Sequence, residues 1–470
     1  MKLASILTVL LLHTTASAQV SVSGTFQNAP PGSEVEISGY NNSIEWDEVS
    51  VAKAKVERGR FSAVFPWEKA GPAQLHIADQ YSKLFLAPGD SLQINCDYAR
   101  FDSTLHYTGR GAVANNYMAA DVLEAFDRKA VQATAQFDDA SQFTHYVDSL
   151  EQMNRELLRT HESPQWTAVF RQYITSSTMY RFVNHRWRYR IGYDREKKNF
   201  FHKEMPEGYF AFFEKLDLDD EGAYDNGMYS TALLRYLAEA PGYNAVVLDT
   251  IPEERKMEVR TKQRYAYQRS LFKGKVRDHQ LSVFMKEQLE RGNSDPALLA
   301  WLVSDYKATC TNPEYVAIID RIYARALTLM PGEPAPDFTV VDLDGKQVSL
   351  SSYKGMVVFL DFWATWCAPC RVAMPKVKAL EEKFKDREDV AFLKVNVLDE
   401  RQRWKDFVAK EAMGGRNFFA GKPETQALLK AYNFDGVPHY VLIGQDGKLI
   451  DAQAGLQEGT EAKIRAALGL

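Results

Sequence analysis

Val357-Val-Phe-Leu-Asp-Phe-Trp363 runs into Ala364-Thr-Trp-Cys-Ala-Pro-Cys370, and this stretch decides the fold of the last third of the chain. Seven residues with a single charge predict a central strand buried on both faces, the pattern of a parallel sheet covered by helices. The residues after it, from about Pro369 to Lys385, are amphipathic and predict a helix. Cys367 is thereby expected at a helix N-terminus, where unpaired backbone N–H groups and the helix dipole favour a thiolate. Cys370, one turn later, can reach back to the Cys367 sulfur, so the pair can attack a disulfide and resolve the mixed disulfide internally. A plain surface disulfide or half of a zinc site are the alternatives. A four-cysteine zinc site needs a second close pair, and the other two cysteines, Cys96 and Cys310, stand far apart in sequence.

Asp361-Phe-Trp-Ala-Thr-Trp-Cys-Ala-Pro-Cys-Arg371 resembles the active-site segment of the thioredoxin superfamily. From Pro334 to Leu470 the chain is similar to the exported TlpA/ResA-like branch. Pro-Ala-Pro-Asp-Phe338, a hairpin turning at Asp344-Gly345, Pro375 in the active-site helix, Val437-Pro438 and the turn Gln445-Asp-Gly447 follow in that branch's order. The resemblance implies a thioredoxin-like α/β domain with catalytic Cys367 and Cys370. It implies a buried Asp361 that moves a proton to or from the second cysteine, and Lys394 paired with that aspartate. Water-facing positions for Asp361 and Lys394 are the alternatives. Trp366, Val437 and a cis Pro438 are the expected walls of a substrate groove. His439 stands where the family commonly has threonine, and either tunes the thiolate or packs. Ala368 departs from the glycine or glutamate of relatives, which leaves the redox potential open.

Before this domain, Met330-Pro-Gly-Glu-Pro-Ala-Pro336 places three prolines in six residues and predicts an extended connector and a boundary. From Val20 to about Tyr98, alternating segments such as Val20–Phe26 and Phe61–Phe65, separated by Pro/Gly turns, predict an N-terminal antiparallel β-sandwich. Its last strand puts Leu92, Ile94, Cys96 and Tyr98 on one face, so Cys96 reads as a core thiol. Residues 111–329 carry helical periodicity: Leu233, Leu234 and Leu237 share a face, as do Leu298, Leu299 and Leu302. Asn312-Pro313 is an N-cap followed by proline at the first helical position. Cys310 reads as structural, with a Cys96–Cys310 bridge left open.

Arg181 to Lys198 interleaves Arg181, Arg186, Arg188, Arg190, Arg195, Lys197 and Lys198 with Phe182, Trp187, Tyr189 and Tyr193. A buried aromatic face with arginines on the wet side explains this better than nucleic-acid binding. Between Asp399 and Gly436 the last domain carries more residues than a minimal thioredoxin: Gln402–Ala412 and Glu424–Tyr432 are expected as helices joined by a glycine- and aromatic-rich loop, 414–421, and this whole insertion is a candidate partner-selecting surface.

Lys2, the apolar stretch Leu3–Leu12 and the small residues Ala16-Ser17-Ala18 form the pattern of an export signal, with the mature chain starting near Gln19. An uncleaved, anchoring signal is the alternative. The expected organisation is multidomain: signal 1–18, β-sandwich 19–110, helical region 111–329 and redox domain 330–470. A balance of 57 basic against 62 acidic residues, net −5, supplies no pull toward nucleic acid or anionic membrane. No span of the mature chain, cofactor or metal is expected.

The expected function is an extracytoplasmic thiol-disulfide oxidoreductase that reduces protein disulfides of the cell envelope; a membrane electron donor is implied by the resemblance. A disulfide oxidant or isomerase uses the same residues with the opposite poise. A binding protein with an ancillary redox domain is a further alternative. Thiol peroxidase chemistry is disfavoured, because that family needs threonine three residues before the cysteine and Ala364 stands there.

Overall fold

A computed structural model describes residues 19–194, 199–245, 251–291, 295–456 and 458–470. The expected export signal and the basic residues Arg195, Lys197 and Lys198 lie outside the described residues. Among the described residues no helix is long and apolar enough to cross a membrane. The chain divides into two compact units, Met1–Ala245 and Val246–Leu470. This division falls inside the helical stretch rather than at the proline-rich connector.

In the first unit, strands β1 (Gln19–Gln27), β2 (Glu34–Tyr40), β3 (Glu48–Lys55), β4 (Arg60–Pro66), β5 (Gly71–Ile77), β6 (Gln80–Leu86) and β7 (Ser91–Asp97) are followed by a short helix α1 (Phe101–Thr104) and β8 (His106–Arg110). They form two four-stranded sheets, ordered β4-β1-β7-β8 and β3-β2-β5-β6. Alternation of side chains sends Val20, Val22, Phe26, Ile37, Leu75, Leu92 and Ile94 into one shared core. Pairing is not antiparallel throughout: β1 and β7 run parallel, with Gly24 opposite Ile94. The close approach there requires glycine, since a Cβ on Gly24 would lie 2.1 Å from the Ile94 carbonyl oxygen. Cys96 is buried on the same face as Leu92 and Ile94 and is a free thiol.

Helices α2 (Ala112–Glu124), α3 (Phe126–Gln136), α4 (Ala140–His161) and α5 (Ala168–Arg188), the hairpin β9 (Ile191–Asp194) and β10 (Asn199–His202), then α6 (Gly227–Glu239) and α7 (Pro241–Asn244) complete this unit. The arginines of α5 are not all on its wet side. Arg181 is 4% exposed and grips Asp121 with two hydrogen bonds of 2.7 and 2.8 Å. Burial of a guanidinium requires such a partner, and the fork of Arg181 matches a carboxylate. Leu234 also departs from expectation: Leu233 and Leu237 are buried, whereas Leu234 is 38% exposed, turned one residue around the helix.

In the second unit, α8 (Glu253–Leu271), α9 (Gly274–Glu290), α10 (Pro296–Thr309) and α11 (Pro313–Leu327) precede the sheet. Asn312 caps α11, its side-chain oxygen accepting the N–H groups of Glu314 and Tyr315. Leu298, Leu299 and Leu302 are buried together on α10, and Cys310 beside its end is a buried free thiol. The sheet is built from β11 (Thr339–Val341), β12 (Gln347–Ser349), β13 (Val357–Trp363), helix α12 (Ala368–Glu382), β14 (Val390–Asn396), α13 (Arg401–Lys410), β15 (Arg416–Phe419), α14 (Lys422–Ala431), β16 (His439–Ile443), β17 (Leu449–Asp451) and α15 (Glu458–Ala467). Its order is β12-β11-β15-β14-β13-β16-β17.

Every residue of β13 and β14 is buried, as the apolar run of β13 predicts. Val357 and Phe359 pack with Val377 and Leu380 of α12 and Ile464 of α15; Val358, Leu360 and Phe362 face the other side with Leu428 of α14. The expected loop 414–421 instead contains β15, parallel to β14 and antiparallel to β11. Four residues between glycines are too short to show a strand period, and the sheet supplies the hydrogen bonds that make them one. The proline-rich connector is extended but not loose. Gly332 and Ala335 donate backbone hydrogen bonds of 2.8 and 3.0 Å to Leu449 and Gly447.

Candidate active site

Strand β13 delivers the chain to the end of the sheet at Trp363, and Ala364–Trp366 turn it into α12 with Cys367 as N-cap. Pro369 in the first turn needs no N–H partner there. The Cys370 backbone N–H donates to Cys367 Sγ over 3.1 Å, the polarising contact expected of a helix N-terminus. The two cysteines form a disulfide, with Cα atoms 5.3 Å apart. From across the site, the Val437 carbonyl oxygen lies 3.3 Å from Cys367 Sγ, and the Val437–Pro438 peptide is cis.

The disulfide is sheltered: Cys367 and Cys370 are 2% and 3% exposed, packed with Trp363, Ala364, Trp404 and Phe419. Trp366 stands out beside them at 55% exposed, its indole N–H fixed to the Leu398 carbonyl at 2.8 Å. A large exposed indole next to a buried sulfur pair provides a surface on which another chain can lie. Asp399 organises the turn from below. Its carboxylate, fully shielded, accepts the Thr365 N–H at 2.7 Å and the Glu400 N–H at 2.9 Å.

Asp361 is buried on the face of β13 that α12 covers, between Phe359 and Trp363. Burial pushes its carboxyl up to about 7; nearby Lys394 opposes the rise and Glu381 adds to it. Lys394 is the register neighbour of Asp361 on β14 and is itself buried, which excludes a water-facing lysine. Its ammonium nevertheless engages other groups: Glu381 of α12 at 2.6 Å and the Gly414 carbonyl at 3.1 Å. The expected aspartate–lysine pair is therefore adjacent but not hydrogen-bonded. Glu381 escaped the sequence reading, although a signal existed, since it follows buried Val377 by four residues and so shares the helix face turned to the sheet. Asp399 left no such trace, because its partners are backbone groups distant in sequence.

His439 packs. Its ring stacks on Phe434 at 4.5 Å and faces Phe362 at 6.0 Å. Burial holds it down at about 4, so the ring is neutral at neutral pH. It does not supply a cation to the cysteines.

The Redoxin family matches residues 330–468. The thiol-disulfide oxidoreductase ResA of Bacillus thuringiensis is 34% identical over 126 residues, 27% of this chain and 70% of the relative. ResA of Bacillus subtilis is 31% identical over 153 residues, 33% of this chain and 82% of the relative. Among solved structures, the thioredoxin domain of a thiol-disulfide oxidoreductase from Bacteroides vulgatus is 26% identical, covering 30% of this chain and 95% of that one with a TM-score of 0.26. By the sequence and arrangement of its C-terminal residues, the chain belongs to the ResA-like thiol-disulfide oxidoreductases of the thioredoxin superfamily.

Proposed function

We propose that the protein works outside the cytoplasm and reduces disulfides of cell-envelope proteins through Cys367 and Cys370. The observation that carries this reading is Cys367 Sγ at the mouth of α12, accepting the Cys370 N–H at 3.1 Å beside exposed Trp366. In the reduced enzyme the Cys367 thiolate attacks one sulfur of a substrate disulfide. A mixed disulfide forms and the other substrate sulfur leaves as a thiolate, taking up a proton. Cys370 loses its proton and attacks Cys367 Sγ, which re-forms the intramolecular disulfide and releases the second substrate thiol. Two electrons and two protons pass to the substrate, and a dithiol donor at the membrane restores the pair.

Asp361, ionising near neutrality, accepts and returns the Cys370 proton. Lys394 biases that carboxyl by charge. Trp366, Val437 and Pro438 line the groove, where the Val437 carbonyl meets an extended substrate backbone. The same reading takes 1–18 as an export signal, 19–110 as a β-sandwich, 111–329 as a helical region and 330–470 as the redox domain.

The test is the equilibrium reduction potential of the Cys367–Cys370 couple against glutathione, with Cys367→Ser as control. Potentials near about −270 mV suit a reductant and near about −120 mV an oxidant. A value well below about −200 mV is expected; one near the oxidant end turns the reading to oxidation or isomerisation. Cys370→Ser should accumulate mixed disulfides with substrate, and N-terminal analysis of the exported protein should begin near Gln19.

A further inference from the structure

Lys394 brings a buried ammonium to the strand beside Asp361, yet its hydrogen bonds go elsewhere. Glu381 takes one at 2.6 Å and the Gly414 carbonyl another at 3.1 Å. Among the described residues no ion pair joins Lys394 to Asp361, and none donates a hydrogen bond to the Asp361 carboxyl. The Gly414–Gly415 turn is shaped around this arrangement. Asn417 pins it, its side-chain amide donating at 3.2 Å to the carbonyls of Met413, Gly414 and Gly415. Gly415 has φ +80°, and a Cβ there would lie 2.7 Å from Glu381 Oε1 and 2.9 Å from Lys394 Nζ. Glycine thus lets the turn close over the ion pair.

We propose that Glu381 is a positioning residue: with the Gly414–Gly415 turn it holds the Lys394 ammonium off Asp361, leaving the aspartate free to carry a proton. This rests on the proton-carrying role of Asp361 proposed above and adds the residue that controls it.

The groups facing Asp361 from the surrounding elements are few. Lys394 comes from β14, Glu381 from α12 and Tyr440 from β16, the last in register with Asp361. The Tyr440 hydroxyl is buried without a hydrogen-bond partner, and burial together with the Asp361 charge keeps it protonated. Among the described residues Lys394 is thus the cation that acts on Asp361, while Tyr440 offers at most a neutral hydroxyl donor, and Glu381 competes with Asp361 for that ammonium. An opposite charge brought within hydrogen-bonding range lowers a carboxyl pKa by about one to three units. Removing Glu381 leaves a buried ammonium short of one anion, with Asp361 the acid beside it in the sheet. Both the lost negative charge and the released lysine then favour ionised Asp361.

The experiment uses the full chain with aspartate carboxyl carbons isotopically labelled, and follows the Asp361 resonance against pH in the wild type and in Glu381→Gln. Asp361→Asn assigns the signal. The ratio of ionised to protonated Asp361 at neutral pH is expected to rise roughly tenfold or more in Glu381→Gln. Adding Lys394→Met to that variant should reverse the change. An unaltered Asp361 titration in folded Glu381→Gln overturns the proposal. If that variant does not fold, Glu381→Asp keeps the charge and shortens the reach; a smaller shift in the same direction supports the proposal and none overturns it. The aspartate resonance reports positioning whatever the chemistry. If it shifts while Asp361→Asn leaves the pH profile of disulfide reduction unchanged, Glu381 positions Lys394 as inferred and it is the proton-carrying role of Asp361 that fails.

Discussion

The buried carboxylate of Asp399 accepts the backbone N–H of Thr365 at 2.7 Å, two residues before Cys367. It thereby ties the turn that presents the nucleophile to the segment following β14, where Asn396 also approaches the same oxygen at 3.4 Å. Asp399→Ala leaves the Thr365 N–H without its partner, at a cost of about 1–3 kcal/mol. Denaturant unfolding of the second unit should show that loss. Thiol–disulfide exchange should slow in step, while Asp399→Asn, which keeps an acceptor, should lose less of both.

Asp361 makes stability depend on pH in a defined direction. Its carboxyl ionises at about 7 in the folded protein against an ordinary 3.8, so its contribution is full below 3.8 and is lost as pH rises through 7. Asp361→Asn carries no such burden. Relative to the wild type its stability should climb between those two pH values and level off above them. At about 1.4 kcal/mol per unit the gain is bounded by about 4 kcal/mol. Urea midpoints measured at a series of pH values check this; a flat difference would place the carboxyl in contact with water.

His439 works in the opposite direction. Held at about 4 rather than 6.5, it stabilises the folded state above the higher value, and that stability is lost as pH falls toward the lower one. His439→Phe should keep the stack on Phe434 and Phe362 and remove this acid sensitivity, worth at most about 3 kcal/mol. Thermal melts at neutral and mildly acidic pH provide the comparison.

In the first unit, Arg181 and Asp121 are both buried and bidentate. Arg181→Met leaves Asp121 as an unpaired buried charge and should cost about 3–5 kcal/mol. The double variant Arg181→Met/Asp121→Leu should recover much of that loss. Denaturation followed by a probe in the first unit reads both.

Some of this was legible because a short segment carried all of its own information. The apolar run of β13 ending beside a Cys-x-x-Cys at a helix start predicts a buried strand, a capped helix and a sulfur pair, since each follows from periodicity and spacing over a few residues. The N-cap of α11 at Asn312-Pro313 was legible for the same reason. Where the deciding partner was remote, the sequence was silent or misleading. Arg181 looks like a surface arginine until Asp121, 60 residues earlier, closes around it. Residues 416–419 look like a loop until two neighbouring strands lend them hydrogen bonds.

The sequence by itself determined the chemistry of the site, a dithiol at a helix N-terminus with an aspartate in the strand leading to it, because those residues follow one another along the chain. Only the tertiary structure decided what those residues touch. The Val437 carbonyl reaches Cys367 from 70 residues away, and Asp399 holds Thr365 from 34 away. Lys394 turns to Glu381 rather than to the aspartate beside it. The physical reason is that hydrogen bonds and charge interactions between buried groups depend on distances of a few ångströms, and the packing of α12 and the 414–415 turn against β14 sets those distances.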